Sequence, residues 1–399
     1  MANTASSLPR FLTRKGVPLW RDVEVLKWTA QIVSAALVIW FVYFFISNVI
    51  RAANARNLGL GYGFLDNAAG FPIAESVVPY DPSRSFGYAL WVGFLNTVKV
   101  SLVGIVLATV LGLFIALARL STNWLVSNLA GIYINIIRNV PLLVQLFIWY
   151  FAVFQKLPPV RNAIALPGPV YLSQRGLYMT GPAPTETFRA WLVFVVAAVV
   201  LAGVLHRLLL RYQVQTGRTT YPLLSATAVL LGLPLIGWLA VGSPPLTITR
   251  PVLERFNFVG GLRLTPEFVA LLVGLVIYTS AFIAEVMRGG ILAVHKGQVE
   301  AAKALGFSTP QTLRLIVLPL ALRVIIPPLI SQYLNLTKNS SLAVIIGYPD
   351  LFFVGRTIIN QAGQAVPVFL LIMAVYLSLS LFTSAVLNVY NRKVQLVER

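Results

Sequence analysis

The stretch EAAKALGFSTPQTLRLIVLP, residues 300–319, predicts two short helices joined by a sharp turn. Strong helix formers fill residues 298–305, and Gly306 follows them where a left-handed C-terminal cap is favoured. Ser308 stands three residues before Gln311, which is the spacing of a capping box, and Pro310 falls in the first turn of the second helix. Three alanines make the first helix thin enough for another protein to approach closely: Ala301, Ala302 and Ala304. A linker that folds back on its own chain is the alternative, and the residues alone leave both open.

The composition places this stretch in a membrane protein. Of the 399 residues, 58% are hydrophobic and 11% are charged, and the mean hydropathy is +0.81. Soluble domains carry about 25% charged residues. The formal charge of +19 would favour nucleic acid in a soluble chain, but here Lys and Arg mostly stand at the ends of apolar runs, which is typical of membrane topology. Because the chain has no cysteine, it forms neither a disulfide nor a cysteine metal site.

Apolar runs of about 20 residues predict an all-α, polytopic bundle with eight transmembrane helices. The runs cover residues 28–50, 88–119, 132–154, 190–210, 223–241, 267–287, 324–346 and 366–389. Residues 1–27 form a predicted cytoplasmic tail, residues 28–87 a first span with an outer loop, and residues 88–399 the other seven spans. We expect two of those spans in the region 156–265 and a cytoplasmic loop at 289–321.

Basic residues predict the orientation of the bundle. One side receives the N-terminal tail, the loop after the fourth span, the loop at 289–321 and the C-terminus, with Arg10, Arg14, Lys15, Arg21, Lys27, Arg207, Arg211, Arg218, Arg288, Lys296, Lys303, Arg314, Arg323, Arg392, Lys393 and Arg399. The positive-inside rule makes that side cytoplasmic, and an even number of spans then puts both termini inside. The bias is incomplete, since the opposite loops carry Arg161, Arg175, Arg250, Arg255 and Arg263.

The quoted stretch also carries a resemblance to a known family. Its Glu-Ala-Ala, then Gly306 after three intervening residues and Ile-Val-Leu-Pro at 316–319 after nine more, resemble the complete signature of permease subunits in binding-protein-dependent ABC importers. RNVPLLVQLF (138–147), AFIAEVMRGGI (281–291) and the long run at 320–351 look like the polar amino acid branch of these permeases. GFLDNAAGFP, NLTKNSSLA and the chain length resemble the general L-amino-acid transporter permeases in particular. Because many relatives in the branch have about five spans, the resemblance implies that 28–87 is an extra first span and loop. It also implies that 88–399 is the permease domain and that 156–265 is an inserted region with two extra spans. His295 and Val299 depart from the branch, in which proline and an aromatic residue are common there.

The resemblance implies a type I ABC importer permease fold in a bacterial inner membrane. It implies that the chain moves L-amino acids by alternating access, driven by ATP that is bound and hydrolysed on a separate ATPase subunit, so that no cofactor binds here. The implied partners are a second homologous permease, two ATPase subunits, a periplasmic amino acid binding protein and membrane lipids, without nucleic acid. The residues implied to couple the permease to the ATPase are Glu300, Ala301, Ala302, Gly306 and Ser308.

The chain lacks the common motifs of an enzyme. It has no GxxxxGK phosphate loop, no HExxH zinc pattern and no GxSxG elbow, and both of its histidines, His206 and His295, lie near the predicted cytoplasmic side. We therefore expect no catalytic residue and no metal site. A secondary amino acid transporter is the rival class, because such carriers hold an ionisable residue deep in the membrane. An assembly scaffold or a channel explains the stretch at 300–319 poorly.

Glu285 is the only acid well inside an apolar run, and Arg288 follows it three residues later. An ion pair within the helix is one interpretation. A gate or subunit contact is the other, and the same role is open to Arg138 at the start of the third span.

The seventh span combines two prolines with a polar run. Pro327 and Pro328 remove helical hydrogen bonds, and about two turns later come Asn335, Thr337, Lys338, Asn339, Ser340 and Ser341. Polar groups at that depth need protein or water partners, so they either line the translocation path or bind a neighbouring helix. In the second span, Lys99 is expected to extend its ammonium towards water. The spacing of Gly104, Ala108 and Gly112 predicts close helix packing.

Overall fold

A computed structural model of the chain describes residues 13–14, 17–18, 22–55 and 61–394. A short strand pair, β1 (Thr13–Arg14) and β2 (Val17–Pro18), precedes the first helix. Among the described residues, seven helices are long and apolar enough to cross a membrane, and one bent helix pair adds an eighth if it counts as a single span. The predicted bundle of about eight spans is confirmed in that sense. Of the basic residues used for the orientation, four lie outside the described residues: Arg10, Lys15, Arg21 and Arg399.

The described helices follow one another along the chain as α1 (Val23–Ala55), α2 (Phe86–Arg119), α3 (Trp124–Asn139), α4 (Leu142–Phe147), α5 (Phe188–Thr216), α6 (Pro222–Ala240), α7 (Pro266–Leu292), α8 (Lys296–Ala304), α9 (Thr309–Thr312), α10 (Leu318–Asn339), α11 (Leu351–Ala362) and α12 (Ala365–Val394). Wider and tighter turns extend some of them. A π turn (Ile148–Val153) and a 3-10 turn (Phe154–Lys156) continue α4. A second π turn (Leu313–Val317) joins α9 to α10, and a 3-10 turn (Ser340–Ile345) follows α10.

Helices α2 and α7 form the centre of the bundle. Helices α3, α10 and α11 pack on them, and α12 packs on α10 and α11. Small residues let the central helices approach closely. A Cβ at Gly112 would lie 2.7 Å from Cγ2 of Ile283 on α7, and one at Gly104 would lie 3.3 Å from Leu336 on α10. The close packing expected from the glycine and alanine spacing in α2 is therefore present.

The third span is broken, where the sequence predicts one continuous helix at residues 132–154. Helices α3 and α4 meet at an angle of 101°. Pro141 has no N–H and disfavours helical backbone in the residue before it, so Val140 is extended with φ −98° and ψ 125°. The Nε2 of Gln145 donates to the carbonyls of Ile137 and Val140 at 3.0 Å each. These bonds satisfy two carbonyls that the end of α3 leaves open.

The seventh span begins earlier than the predicted residues 324–346. Helix α9, the π turn, α10 and the 3-10 turn form one element over residues 309–345, which is 37 residues long. Pro327 and Pro328 lie inside α10, and the helix continues through both. The two missing N–H groups therefore do not break the helix.

The inserted region holds β-strands that the sequence did not predict. Strands β3 (Ile164–Leu166), β4 (Val170–Ser173), β5 (Gly176–Met179) and β10 (Leu262–Leu264) form an antiparallel sheet in the order β10-β5-β4-β3. Two further antiparallel pairs are β6 (Gly181–Pro184) with β7 (Leu246–Thr249), and β8 (Val252–Glu254) with β9 (Asn257–Val259). We call the two segments 156–187 and 241–265, which contain β3–β10, the β-platform. The all-α class thus describes the bundle, and the insertion adds a small β unit to it.

Helices α1, α5 and α6 lie at the periphery. The apolar segment of α1 has no buried residue, and those of α5 and α6 are 11% and 6% buried, compared with 56% for α7. Helices α5 and α6 pack on each other as a hairpin between β6 and β7. The spans that the sequence identifies as additional therefore lie outside the core formed by α2, α7, α10, α11 and α12.

Candidate functional site

The stretch at 295–312, which we call the EAA turn, folds into the predicted helix, turn and helix. The Nδ1 of His295 caps α8 by accepting the backbone N–H two residues later at 3.2 Å. Gly306 ends α8 with φ +81°. The N–H of Phe307 donates to the carbonyl of Ala302 at 3.1 Å, and that of Gly306 donates to Lys303 at 2.9 Å. These two bonds close a Schellman motif, which requires the left-handed residue that glycine supplies most readily.

Helix α9 starts at the predicted capping box. The backbone N–H of Ser308 donates to Oε1 of Gln311 at 2.8 Å, and the Ser308 hydroxyl donates to the same oxygen at 2.9 Å. Pro310 lies in the first turn of α9, where the missing N–H needs no partner. The geometry of the turn is therefore set by hydrogen bonds between residues close in sequence.

The EAA turn buries little of its own apolar surface. Ala302 is turned inward and is 3% exposed, as is Thr312 of α9. Ala301, Ala304 and Leu305 are exposed, and Leu305 has 77% of its surface open. Glu300 and Lys303 are also exposed on this helix. The result is a small surface with an apolar centre and charged edges, on a helix that is firmly capped at both ends.

One face of helix α10 is polar and is not covered by the rest of the described chain. Asn335 and Lys338 are exposed, and Ser331 precedes them on the same face at helical spacing. On another face, the hydroxyl of Tyr333 lies 2.9 Å from that of Thr109 on α2, which ties α10 to the core. The exposed face is thus free of the other described helices of this chain.

The remaining polar residues predicted for this region lie at the end of α10. Ser340 is fully buried, and its hydroxyl donates to the carbonyl of Thr337 at 2.8 Å. Ser341 is half-buried and donates to the carbonyl of Lys338 at 2.7 Å, while Asn339 is also half-buried. The structure therefore separates the predicted set into an exposed pair, Asn335 and Lys338, and residues that pack at the end of the helix.

Glu285 forms the ion pair within α7 that the sequence offers as one interpretation. Its carboxylate accepts from Nε and Nη2 of Arg288 at 3.1 and 2.8 Å. Arg138 of α3 is exposed, and its guanidinium lies 5.1 Å from the ring centroid of Phe282, one turn from Glu285. The contact of Arg138 with Phe282 joins α3 to α7 in the half of α7 that leads to the EAA turn.

A polar cluster that the sequence did not reveal lies at the opposite end of α7. Glu75 comes from the loop before α2 and is 8% exposed. Its Oε1 lies 2.5 Å from Nζ of Lys99 on α2. Its Oε2 accepts from the hydroxyl and the N–H of Thr265, at 2.5 and 3.3 Å. Since Thr265 also caps α7 by accepting from the N–H of Phe268, one carboxylate joins the loop, α2 and the start of α7. We call Glu75, Asn96, Lys99 and Thr265 the clasp.

Asn96 extends the clasp to the chain before α11. Its Nδ2 donates to the carbonyl of Glu75 at 2.7 Å and to that of Pro349 at 2.9 Å. The hydroxyl of Tyr348 in turn donates to the carbonyl of Asn96 at 3.1 Å. The sequence predicts that the ammonium of Lys99 extends towards water, whereas the structure pairs it with Glu75 and places it 4.4 Å from the ring centroid of Phe268. Only the fold brings Glu75 and Thr265, which are 190 positions apart, to this lysine.

The clasp and the EAA turn stand at the two ends of one helix. Thr265 immediately precedes α7, and the EAA turn follows its last residue, Leu292, after a short link. At 1.5 Å per residue, the 27 residues of α7 span about 40 Å, which is enough to cross the apolar core of a bilayer. Within the described residues, no group of three or more His, Asp or Glu side chains is placed to hold a metal ion.

A multi-helix membrane bundle with the complete Glu-Ala-Ala signature defines the class of this chain. It belongs to the family of binding-protein-dependent transport system inner membrane components, whose model matches residues 108–396. The resemblance found in the sequence is thereby confirmed.

Three relatives match the chain over nearly its full length. It is 46% identical to YhdX of Escherichia coli (strain K12), a protein named for amino-acid ABC transport, over 97% of this chain and 98% of that one. It is 43% identical to AapQ, the general L-amino acid transport system permease protein of Rhizobium johnstonii, over 92% of each chain. BztB of Rhodobacter capsulatus, a glutamate/glutamine/aspartate/asparagine transport system permease protein, is 33% identical over 95% of this chain and 96% of its own.

The family and these relatives establish the function at the level of the subunit. The chain is a permease subunit of an amino acid ABC importer and a multi-pass membrane protein. Membership implies that it works with an ATPase and a binding protein. A transport permease of this kind moves its substrate without changing it chemically.

Proposed function

We propose that the EAA turn is the surface through which this subunit follows the movement of a separate ATPase. The observation that carries the proposal is its exposed apolar centre at Ala301, Ala304 and Leu305, on a helix whose two ends are fixed by capping bonds. A small, rigid surface of this kind suits a contact that transmits force. ATP is bound and hydrolysed on the ATPase chain, so this chain contributes neither a catalytic residue nor a cofactor site.

The residues of the turn have distinct parts in this contact. Gly306 and Ser308 shape the backbone, and Ala302 packs the turn against its own chain. Glu300 and Ala301 lie on the exposed side. There the carboxylate of Glu300 meets a basic groove of the ATPase, while the methyl group of Ala301 allows close approach.

The exposed face of α10 lines the translocation path between this permease and a second, homologous one. Asn335 and Lys338 point away from the chain's own described helices, at a depth where polar groups need water or protein partners. Closure of two ATPase subunits moves the EAA turns, the paired bundles open outward, and a periplasmic binding protein releases an L-amino acid into the path. Asn339, Ser340 and Ser341 pack at the end of α10 and stabilise the position of its exposed face. Glu285 and Arg138 hold α3 on α7 near the gate.

We further propose how the subunit is oriented in a bacterial inner membrane. Both termini and the EAA turn lie in the cytoplasm, and the clasp and the β-platform lie in the periplasm. Reporter fusions after Arg218 and after Lys303 should both report cytoplasm, and one near Asp66 should report periplasm. Opposite locations for the first two would refute the orientation and the number of spans.

Cross-linking tests the ATPase contact directly, because the chain has no cysteine of its own. Leu305→Cys, carrying a photoreactive maleimide, should cross-link to the ATPase subunit with a yield that changes with nucleotide. Thr219→Cys is the matched control, since it is exposed in the loop that joins α5 to α6 on the same predicted side. Equal yields at the two positions, or none with the ATPase at Leu305, would contradict the proposal.

A further inference from the structure

The β-platform carries a marked excess of positive charge. Its two segments contain two acidic residues, Glu186 and Glu254, against six basic ones: Lys156, Arg161, Arg175, Arg250, Arg255 and Arg263. The five arginines are all exposed. The platform lies at the Thr265 end of α7, the end away from the EAA turn. It is therefore a basic surface at the entrance that the proposed orientation assigns to the periplasm.

Three of the arginines gather at the tip of the β8–β9 hairpin. The two residues of the turn are Arg255 and Phe256, and Arg255 has φ +48°, a left-handed conformation that is uncommon outside glycine, asparagine and aspartate. Phe256 is 64% exposed. The guanidinium of Arg161 lies 4.5 Å from the centroid of its ring, and Nη1 of Arg175 donates to its carbonyl at 3.4 Å. The tip thus holds an uncovered aromatic ring among arginines.

The tip is presented by a packed support. Phe258, two residues after Phe256, is 8% exposed and lies against the rings of Tyr171 and Tyr178, with centroids 4.7 and 4.9 Å away. The hydroxyl of Tyr178 donates to Oδ1 of Asn257 at 2.9 Å. Arg255 and Phe256 therefore stand on a hairpin that is fixed to the main sheet on its other face. A hairpin fixed in this way loses little backbone freedom when a partner binds its tip.

The platform is joined rigidly to the transport bundle. Strand β10 pairs with β5 and runs directly into Thr265, whose hydroxyl and N–H bond to Glu75 of the clasp. Glu75 pairs with Lys99 on α2. A partner held at the tip would therefore be positioned over the start of α7 and the part of α2 beside it.

We infer that the Arg255–Phe256 tip, with Arg161 and Arg175 beside it, is a docking anchor for an acidic surface of the soluble amino acid binding protein. Exposed arginine and aromatic side chains are the residue types that dominate binding energy at protein interfaces, and the excess of arginine calls for an acidic partner. The family requires a binding protein, which must meet the permease on the side opposite the ATPase. The inference rests on the proposed orientation and adds the surface on which that partner is received.

The test uses the complete complex in proteoliposomes, with ATPase activity measured against the concentration of its binding protein. Arg255→Glu and Phe256→Ser should each raise the half-saturating concentration about tenfold and leave the maximal rate nearly unchanged, because the tip anchors the partner without shaping the path. Arg250→Glu is the matched control. It makes the same charge change on an exposed arginine at the other end of the hairpin, and it should shift half-saturation less than twofold.

Ionic strength gives a second readout that a purely structural role would not move. Added salt should raise the half-saturating concentration of the binding protein more for the unaltered complex than for Arg255→Glu. Salt screens the attraction of Arg255 to an acidic partner, and the variant has already lost that attraction. An unchanged half-saturation in both tip variants would overturn the inference. So would a loss of bound anionic phospholipid in native mass spectrometry without that shift, since the tip would then contact lipid headgroups. If the binding protein fails to stimulate the unaltered complex, the coupling and orientation set out under the proposed function fail together with this inference.

Discussion

The two ends of α7 are built in different ways. The EAA turn is held by hydrogen bonds between residues two to five positions apart, such as that from Phe307 to Ala302. The clasp is held by bonds between residues 21 to 253 positions apart, such as that from Asn96 to Pro349. The first end can therefore take its shape from its own sequence, whereas the second forms only when α2, α7 and the chain before α11 have assembled. A change at the EAA turn should alter coupling and leave the bundle intact, while a change at the clasp should loosen the bundle itself.

The largest effect is expected from Gly306→Val in the EAA turn. No atom lies within 4 Å of a Cβ placed at Gly306, so the change meets no steric obstacle. The cost is conformational, because a β-branched residue in the left-handed region costs roughly 1–2 kcal/mol. The backbone at this position is therefore expected to leave that region, which changes the direction of α8. Complexes carrying this variant should lose transport and substrate-stimulated ATP hydrolysis, or lose the ATPase subunits, while the permease inserts at normal levels.

Gly203→Val is the matched control for that experiment. Gly203 lies in α5, also has no atom within 4 Å of a Cβ, and lacks the positive φ. It should transport normally. Normal uptake and normal retention of the ATPase in Gly306→Val would show that the EAA turn is only a linker, and the contrast between the two ends of α7 would lose its basis.

The second prediction concerns the clasp. Glu75→Ala removes the carboxylate that Lys99 and Thr265 share, and it leaves a half-buried ammonium without its counter-charge. Losing one partner of such a pair costs roughly 2–3 kcal/mol. Thermal unfolding of the purified complex should begin about 5 °C earlier, with the ATPase subunits still bound.

A double variant separates the charge effect from the loss of packing. Because Lys99→Met removes the stranded charge and keeps most of the apolar stem, Glu75→Ala with Lys99→Met should be more stable than Glu75→Ala alone. If the two changes simply add, the ion pair does not hold this end of the bundle, and the hydrogen bonds of Asn96 to the backbone must do so.

How much the sequence predicts follows the same division between local and distant contacts. The EAA turn, with its glycine cap and capping box, and most span positions could be predicted because each depends on residues near one another. The break at Pro141 carries a local signal, proline after a residue that it keeps extended, but the apolar run around it favours one continuous helix. The β-platform strands are three or four residues long and show no sustained alternation of apolar and polar residues, so their pattern is too short to detect. The pairing of Glu75 with Lys99 has no local signal.

The third prediction concerns the bent span, where a local break is satisfied by a side chain. Gln145→Met keeps the length of the side chain and removes the donor to the carbonyls of Ile137 and Val140, at a cost of about 1–2 kcal/mol. Thermal unfolding should therefore begin a few degrees earlier. Asn139→Ala is the control, because its bond to the carbonyl of Asn135 is exposed and water can replace it. Equal stabilities of the two variants would mean that Gln145 does not support the bend.

The smallest functional effect is expected on α10, which connects the two ends of the molecule. Asn335→Cys replaces an exposed amide with a group of smaller size, so transport should fall by about half or less. Since the chain has no other cysteine, a small aqueous thiol reagent then reports the environment of this one position. If the exposed face of α10 lines the path, the labelling rate should differ severalfold between nucleotide-free and nucleotide-trapped complexes.

Ser340→Cys is the matched position for that measurement. It lies little more than one turn further along the chain but is fully buried, with its hydroxyl bonded to the carbonyl of Thr337. It should remain unlabelled in every state, although it lies at nearly the same depth as Asn335. Labelling of Ser340→Cys together with inertness of Asn335→Cys would reverse the assignment of the two faces of α10. Inertness of both, with transport retained, would show that the polar face of α10 packs against the second permease, and the path would then have to run along another helix.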